Sequence, residues 1–108
     1  MTISTNMILY NVTIKISEDV HAQWIDWMQT KHIPDVMKTG LFLEKKLLRI
    51  MNHDQDGGGF TYAIQYLCKN INDYNIYQDK YAAKLQAEHS NKFKDKFVAY
   101  RTIMKVIE

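Results

Sequence analysis

One cysteine, Cys68, one proline, Pro34, and four glycines are all that the 108 residues contain of these three types. A single thiol excludes an intrachain disulfide and a multi-cysteine zinc site, and it suits a reducing compartment such as the cytoplasm. No stretch approaches the roughly 20 apolar residues of a membrane span. The opening Met1 to Asn6 also lacks the basic flank and apolar run of a signal peptide. A net charge of +2 is spread over 14 basic and 12 acidic side chains that form no block, so charge points to neither nucleic acid nor membrane as a partner. At this length there is room for one core and not for two. The expected organisation is a single domain over 1–108, with 1–6 as a flexible tail.

What is present is periodic. From Met7 to Ile16 the residues alternate, Ile8, Tyr10, Val12, Ile14 and Ile16 against Leu9, Asn11, Thr13 and Lys15, which predicts a strand. Ser17-Glu18-Asp19 follows as a helix N-cap with two acids in its first turn. Val20, Trp24, Trp27 and Met28 then recur at helical spacing. Pro34 breaks that run, because it lacks an N–H and biases Ile33 away from helix, and one more turn follows before Gly40. Leu41 to Met51 and Phe60 to Lys69 flank a loop ending in Gly57-Gly58-Gly59 and read as an antiparallel hairpin. A second helix begins after Asn70, with Tyr74, Tyr77, Tyr81, Leu85 and His89 along one stripe. Phe97 to Ile107 alternates again. Val98, Tyr100, Met104 and Val106 are expected toward the helices, and Ala99, Arg101, Ile103 and Lys105 away from them.

The order βαββαβ with right-handed crossovers predicts an α+β, ferredoxin-like domain. Its four-stranded antiparallel sheet has order 4-1-3-2, with two helices on one face. The opposite face then carries Leu9, Ala63, Leu67, Ala99 and Ile103 among Asn11, Thr13, Gln65 and Arg101. An apolar patch of that size marks a partner surface, and a second copy closing it face to face would make a dimeric α+β barrel.

Several segments carry a resemblance over nearly the whole chain: Ile8-Leu9-Tyr10-Asn11-Val12-Thr13, Trp24-Ile25-Asp26-Trp27-Met28, His32-Ile33-Pro34 with Thr39-Gly40-Leu41-Phe42, Tyr62-Ala63-Ile64-Gln65-Tyr66, and Ala87-Glu88-His89 through Phe97 to Thr102. Together they resemble a bacterial domain-of-unknown-function family within the dimeric α+β barrel superfamily. That superfamily includes small monooxygenases and haem-degrading enzymes. The resemblance implies the fold and a homodimer, and it implies no reaction.

Among candidate groups, His21 and His32 stand three turns apart, about 16 Å at a helical rise of about 1.5 Å per residue, too far to share a metal ion. No metal site is expected. His32 beside the Pro34 corner and His89 on the inward stripe are candidate general bases or axial ligands, set against the commoner role of a buried, hydrogen-bonded histidine. His21 and His53 are expected in solvent. In the haem-degrading enzymes a histidine of the second helix binds iron and an asparagine of the first strand assists. Resemblance places His89 and Asn11 similarly, but the tryptophan used beside the haem has no counterpart after residue 27. Haem therefore stays a secondary alternative, and no cofactor is expected.

Asn52, Asp54, Asp56 and Gly57 match the opening of a calcium loop, yet Ala63 stands at the twelfth place where a glutamate is needed. RNA-recognition domains share the βαββαβ order, and Gly59-Phe60-Thr61-Tyr62 resembles part of their motif. Turning Phe60 and Tyr62 to RNA would leave Thr61, Ala63 and Gln65 as core, and Gly58 occupies the basic position. Cys68 reads as a small core residue before a nucleophile. Gln65, Arg101 and Tyr66 are the candidate ligand-binding residues, while Asn11, Gln65 and Arg101 fit equally a network that fixes dimer register. Two functions follow from this reading: a non-catalytic or ligand-sensing homodimer, preferred, and a small cofactor-independent or haem-linked monooxygenase.

Overall fold

A computed structural model describes residues 6–52 and 57–108. His53, the acidic part of the calcium-like loop and most of the expected tail lie outside the described residues. Four strands, β1 (Ile8–Ser17), β2 (Phe42–Ile50), β3 (Gly59–Cys68) and β4 (Phe97–Lys105), form one antiparallel sheet of order β2-β3-β1-β4. This is the ferredoxin-like order expected from the sequence. The helical layer consists of α1 (His21–Trp27) and α2 (Ile33–Lys38) before the hairpin, and α3 (Ile71–Tyr77) and α4 (Ala83–Lys92) after it.

Alternation in β1 and β3 places Tyr10, Val12 and Ile14 opposite Tyr66, Ile64 and Tyr62. All six are buried in one core with Trp24, Met28, Val36, Tyr77, Leu85 and Phe93 from the helices. Both central strands therefore send their larger apolar side chains under the helical layer, as a sheet with one covered face requires. Asn70 caps α3 as expected, its side-chain oxygen accepting the Asp73 N–H at 2.8 Å. Ser17 does not cap: its hydroxyl donates to Asp19 at 2.6 Å, and a short 3-10 turn, Glu18–Val20, precedes α1.

Pro34 does not break the first helical run. A π turn at Met28–His32 carries α1 into α2, with the Ile33 N–H donating to the Met28 carbonyl five residues back. Ile33 keeps helical angles, φ −63° and ψ −44°. The wide turn lets Pro34 sit in the first turn of α2, where its missing donor is harmless. A second π turn, Gln78–Ala82, joins α3 to α4. Each helical run is thus continuous through a π turn.

The expected orientation of β4 is reversed. Tyr10, Val12 and Ile14 of β1 pair with Ile103, Arg101 and Ala99, so Arg101, with Ala99 and Ile103, shares the helix-covered face. Val98, Tyr100, Thr102 and Met104 lie on the open face, where Val98 is 70% and Tyr100 61% exposed. Their neighbours there are Leu9, Asn11, Thr13, Ala63, Gln65 and Leu67. On β2, a bulge between Phe42 and Glu44 resets the register and turns Leu48 to the same open face.

Gly59 opens β3 against Ser17, and a Cβ at this position would stand 2.5 Å from the Ile16 carbonyl oxygen. Backbone cannot swing aside as a side chain can. Gly59→Ala is expected to lose about 1–3 kcal/mol, read as a drop in urea midpoint at unchanged m-value; an unchanged midpoint would show that the hairpin end is loose.

Candidate functional site

Helices and sheet do not close completely. Between them lies a cavity of about 30 Å³, lined by Tyr10, Val12, Ile14, Met28, His32, Val36, Ile64, Tyr66, Tyr77, Gln86, His89, Phe97, Ala99 and Arg101. Two sequence candidates for catalysis, His32 and His89, and two for ligand binding, Tyr66 and Arg101, meet here. Tertiary folding brings together the π turn after α1, the middle of α4 and the covered faces of β1, β3 and β4.

The imidazoles sit in an aromatic box. The ring of His89 lies 5.8 Å from that of His32, 4.4 Å from Phe97, 5.6 Å from Phe93 and 5.9 Å from Trp27. Trp27 stacks on His32 at 5.3 Å. Trp24, fully buried, donates its indole N–H to His89 Nε2 at 2.9 Å. An indole only donates, so Nε2 must be the unprotonated nitrogen and the ring's proton rests on Nδ1. Burial pushes His89 down to about 4, aided by His32 where that ring is protonated and by the Arg101 guanidinium. Burial likewise pushes His32 down to about 4, against the opposing pull of Glu88 and Asp35. Both rings are neutral at physiological pH. His32 Nδ1 is buried and has no hydrogen-bond partner among the described residues.

The phenols add to this. Tyr10, Tyr66 and Tyr77 are 2%, 2% and 3% exposed, and none hydrogen-bonds to protein among the described residues. Burial, then the neighbouring tyrosines, holds Tyr66 and Tyr77 well above the ordinary phenol range, so they stay protonated. Arg101 makes no ion pair among the described residues.

Asn11 is elsewhere. It lies on the open sheet face, paired in register with Gln65, and its amide donates to the Thr13 hydroxyl at 2.9 Å. Sheet alternation puts Asn11 and His89 on opposite sides of the sheet, so the two cannot flank one haem. The only imidazole nitrogen of His89 with a free lone pair is taken by Trp24, and the cavity is far smaller than a porphyrin. These residues do not fit haem. His21, expected in solvent, bonds through Nε2 with the Tyr62 hydroxyl at 2.6 Å and packs on Phe60 at 4.2 Å. Cys68 is a buried core residue beneath the Leu41 carbonyl, and burial pushes its thiol up to about 11. No group of three or more His, Cys, Asp or Glu that could hold a metal ion occurs among the described residues. Likewise no helix there is long and apolar enough to cross a membrane. Trp24 is the residue that sequence reasoning undervalued. It was legible as core, but its bond to His89 spans 65 positions and leaves no local pattern.

Fold and cavity together define a small ferredoxin-like α+β domain with a hollow of mixed polar and apolar lining between helices and sheet. The chain belongs to the family called Domain of unknown function (DUF4286), whose model matches residues 7–107. No curated protein matches its sequence. Among solved structures it is similar to a dimeric ferredoxin-like protein from an uncultured marine organism, at 12% identity and a TM-score of 0.70, covering 95% of this chain and 97% of that one. It is also similar to SnoaB, a cofactor-independent oxygenase from Streptomyces nogalater, at 8% identity and a TM-score of 0.71, covering 95% of each chain. Hydroxynitrile lyase from Passiflora edulis matches at 15% identity and a TM-score of 0.64, covering 97% of this chain and 99% of that one. At such identities the likeness establishes the fold, and one fold carries many chemistries.

Proposed function

We propose that this protein is a homodimer, closed through the open sheet face, that binds a small ligand in the cavity between helices and sheet without transforming it. One observation carries the ligand reading. Polar groups of His32, Tyr10, Tyr66, Tyr77 and Arg101 line the cavity without protein partners among the described residues, and one of them, His32 Nδ1, is wholly buried. Buried polar groups are nearly always satisfied, so something else must satisfy that nitrogen. Water can occupy a hollow of this size, and a ligand of few atoms can replace it. The monooxygenase alternative needs room for a substrate of many atoms, which about 30 Å³ does not supply.

The dimer reading rests on the open face. Val98, Tyr100, Leu48 and Met104 stand exposed there around the polar pair Asn11 and Thr13. A two-fold pairing of sheets would cover them, and the dimeric ferredoxin-like neighbour supports it. Gln65 and Asn11 then act in register, in place of the Arg101 that the sequence assigned to this face. A cytoplasmic setting suits the single reduced thiol.

Sedimentation velocity tests the assembly. The wild-type chain is expected to run as a dimer at micromolar concentration, and Tyr100→Asp as a folded monomer, because a buried unpaired carboxylate is strongly unfavourable. A wild-type monomer at that concentration sinks the dimer. Ligand binding is read separately, as perturbation of the His32 and His89 imidazole resonances by small polar molecules.

A further inference from the structure

We propose that the cavity's ligand is a small planar oxyanion, a carboxylate of one or two carbons, gripped by Arg101 and by the phenol and imidazole donors around it. This rests on reading the cavity as a ligand site and adds the chemical class.

Three features select the class. The first is the sign of the lining. No aspartate or glutamate lines the cavity, and its one formal charge is the Arg101 guanidinium, which has no ion-pair partner among the described residues. Asp35, near His32, is occupied by Lys31 on the outer side of the helices. Arginine presents a planar fork of donors that matches a carboxylate through two parallel hydrogen bonds.

The second is the excess of donors. Tyr10, Tyr66 and Tyr77 each bring a hydroxyl proton without a protein acceptor. His89 adds its Nδ1–H, because the Trp24 indole occupies Nε2. A neutral ligand with as many donors as acceptors would leave several of these unmatched. An oxyanion presents about four lone-pair sites and no donor.

The third is size. A hollow of about 30 Å³ is well below the roughly 150 Å³ that holds a benzene ring. Only the smallest carboxylates, formate and then acetate, approach this size, and an aromatic acid does not.

The experiment titrates the intact wild-type protein at pH 7.5 with sodium acetate, exchanging it for sodium chloride so that ionic strength is constant. Imidazole and tyrosine side-chain resonances are followed by NMR. Acetamide serves as the neutral isostere and benzoate as the size control. Acetate is expected to bind saturably with a Kd of about 1 mM, within the ceiling for a ligand of so few atoms. Acetamide should bind about tenfold more weakly, as should acetate to Arg101→Gln, a substitution at an exposed strand position that leaves the core intact. Benzoate should not compete. If acetate and acetamide bind equally and Arg101→Gln changes neither, the anion class is wrong while the ligand site stands. If no probe perturbs these resonances, the ligand site falls and the anion class with it.

Discussion

Trp24→Ala is expected to remove about 3–5 kcal/mol of stability, a large share of the roughly 5–15 kcal/mol that holds a domain of this size together. The side chain is completely buried, its ring lies 5.1 Å from that of Tyr62, and its indole N–H satisfies His89 Nε2. Truncation therefore creates a cavity and orphans a buried acceptor at once. Trp24→Phe separates the two effects. It keeps much of the volume and loses the N–H, and the unsatisfied nitrogen alone costs about 1–3 kcal/mol. In Trp24→Phe/His89→Phe the acceptor is gone too, so the double variant should be more stable than the sum of the single losses predicts, by about 0.5–3 kcal/mol. Urea denaturation at one fixed protein concentration and pH 7.5 measures all four proteins, since a dimer's stability depends on concentration. Additive losses would show that the indole and the imidazole do not meet.

That bond also marks where sequence reading succeeds and where it stops. β1 and β3 were legible because each alternates large apolar with small or polar residues, so only one face can be core. In β4 both sides are mixed: Phe97, Ala99 and Ile103 on one, Val98, Tyr100 and Met104 on the other. A one-residue change of parity exchanges the two sets, and neither choice looks wrong on its own. Pairing with β1 decides it, and pairing is a tertiary fact. The consequence reaches function, because the reversed parity moves Arg101 from the open face to the cavity. Pro34 misled for a related reason. Its local chemistry is a helix breaker, yet the π turn preceding it absorbs the missing donor, and no local pattern announces such a turn. The inward stripes of both helices were visible, so Trp24, Trp27 and His89 could be placed in the core. Which of them touch could not be read, since the helices meet at a depth and angle that the strands set.

Acid should weaken this protein from pH 6.5 downward through two buried histidines. His32 and His89 titrate near 4 in the folded chain because burial disfavours their charged forms, whereas an unfolded histidine titrates near the ordinary 6.5. Between those values the unfolded chain takes up protons that the native chain refuses, so stability falls as pH falls. Above 6.5 neither state is protonated at these rings and their contribution is level. Below about 4 the native rings accept protons too, and the loss stops growing. Each histidine accounts for roughly 1.4 kcal/mol per pH unit inside the window, or about 3 kcal/mol across it. The two together would exhaust much of the domain's stability by pH 4.5. Their proximity, with ring centroids 5.8 Å apart, is part of why the window reaches so low, since charging one opposes charging the other. Asp19 and Asp35, held below the usual carboxylate range by Lys96 and Lys31, lose their contribution only below 3.8 and so fall outside the window. Urea denaturation at pH 8.0, 6.5, 5.5 and 4.5 should show a plateau above 6.5 followed by a steep decline, a series chosen to span both titrations. His32→Phe, which replaces a ring with an unsatisfied nitrogen by an apolar one, should cut the decline by about half. A wild-type stability that stays level from pH 7 down to 5 would mean that both imidazoles reach water, and the aromatic box around them would have to be open.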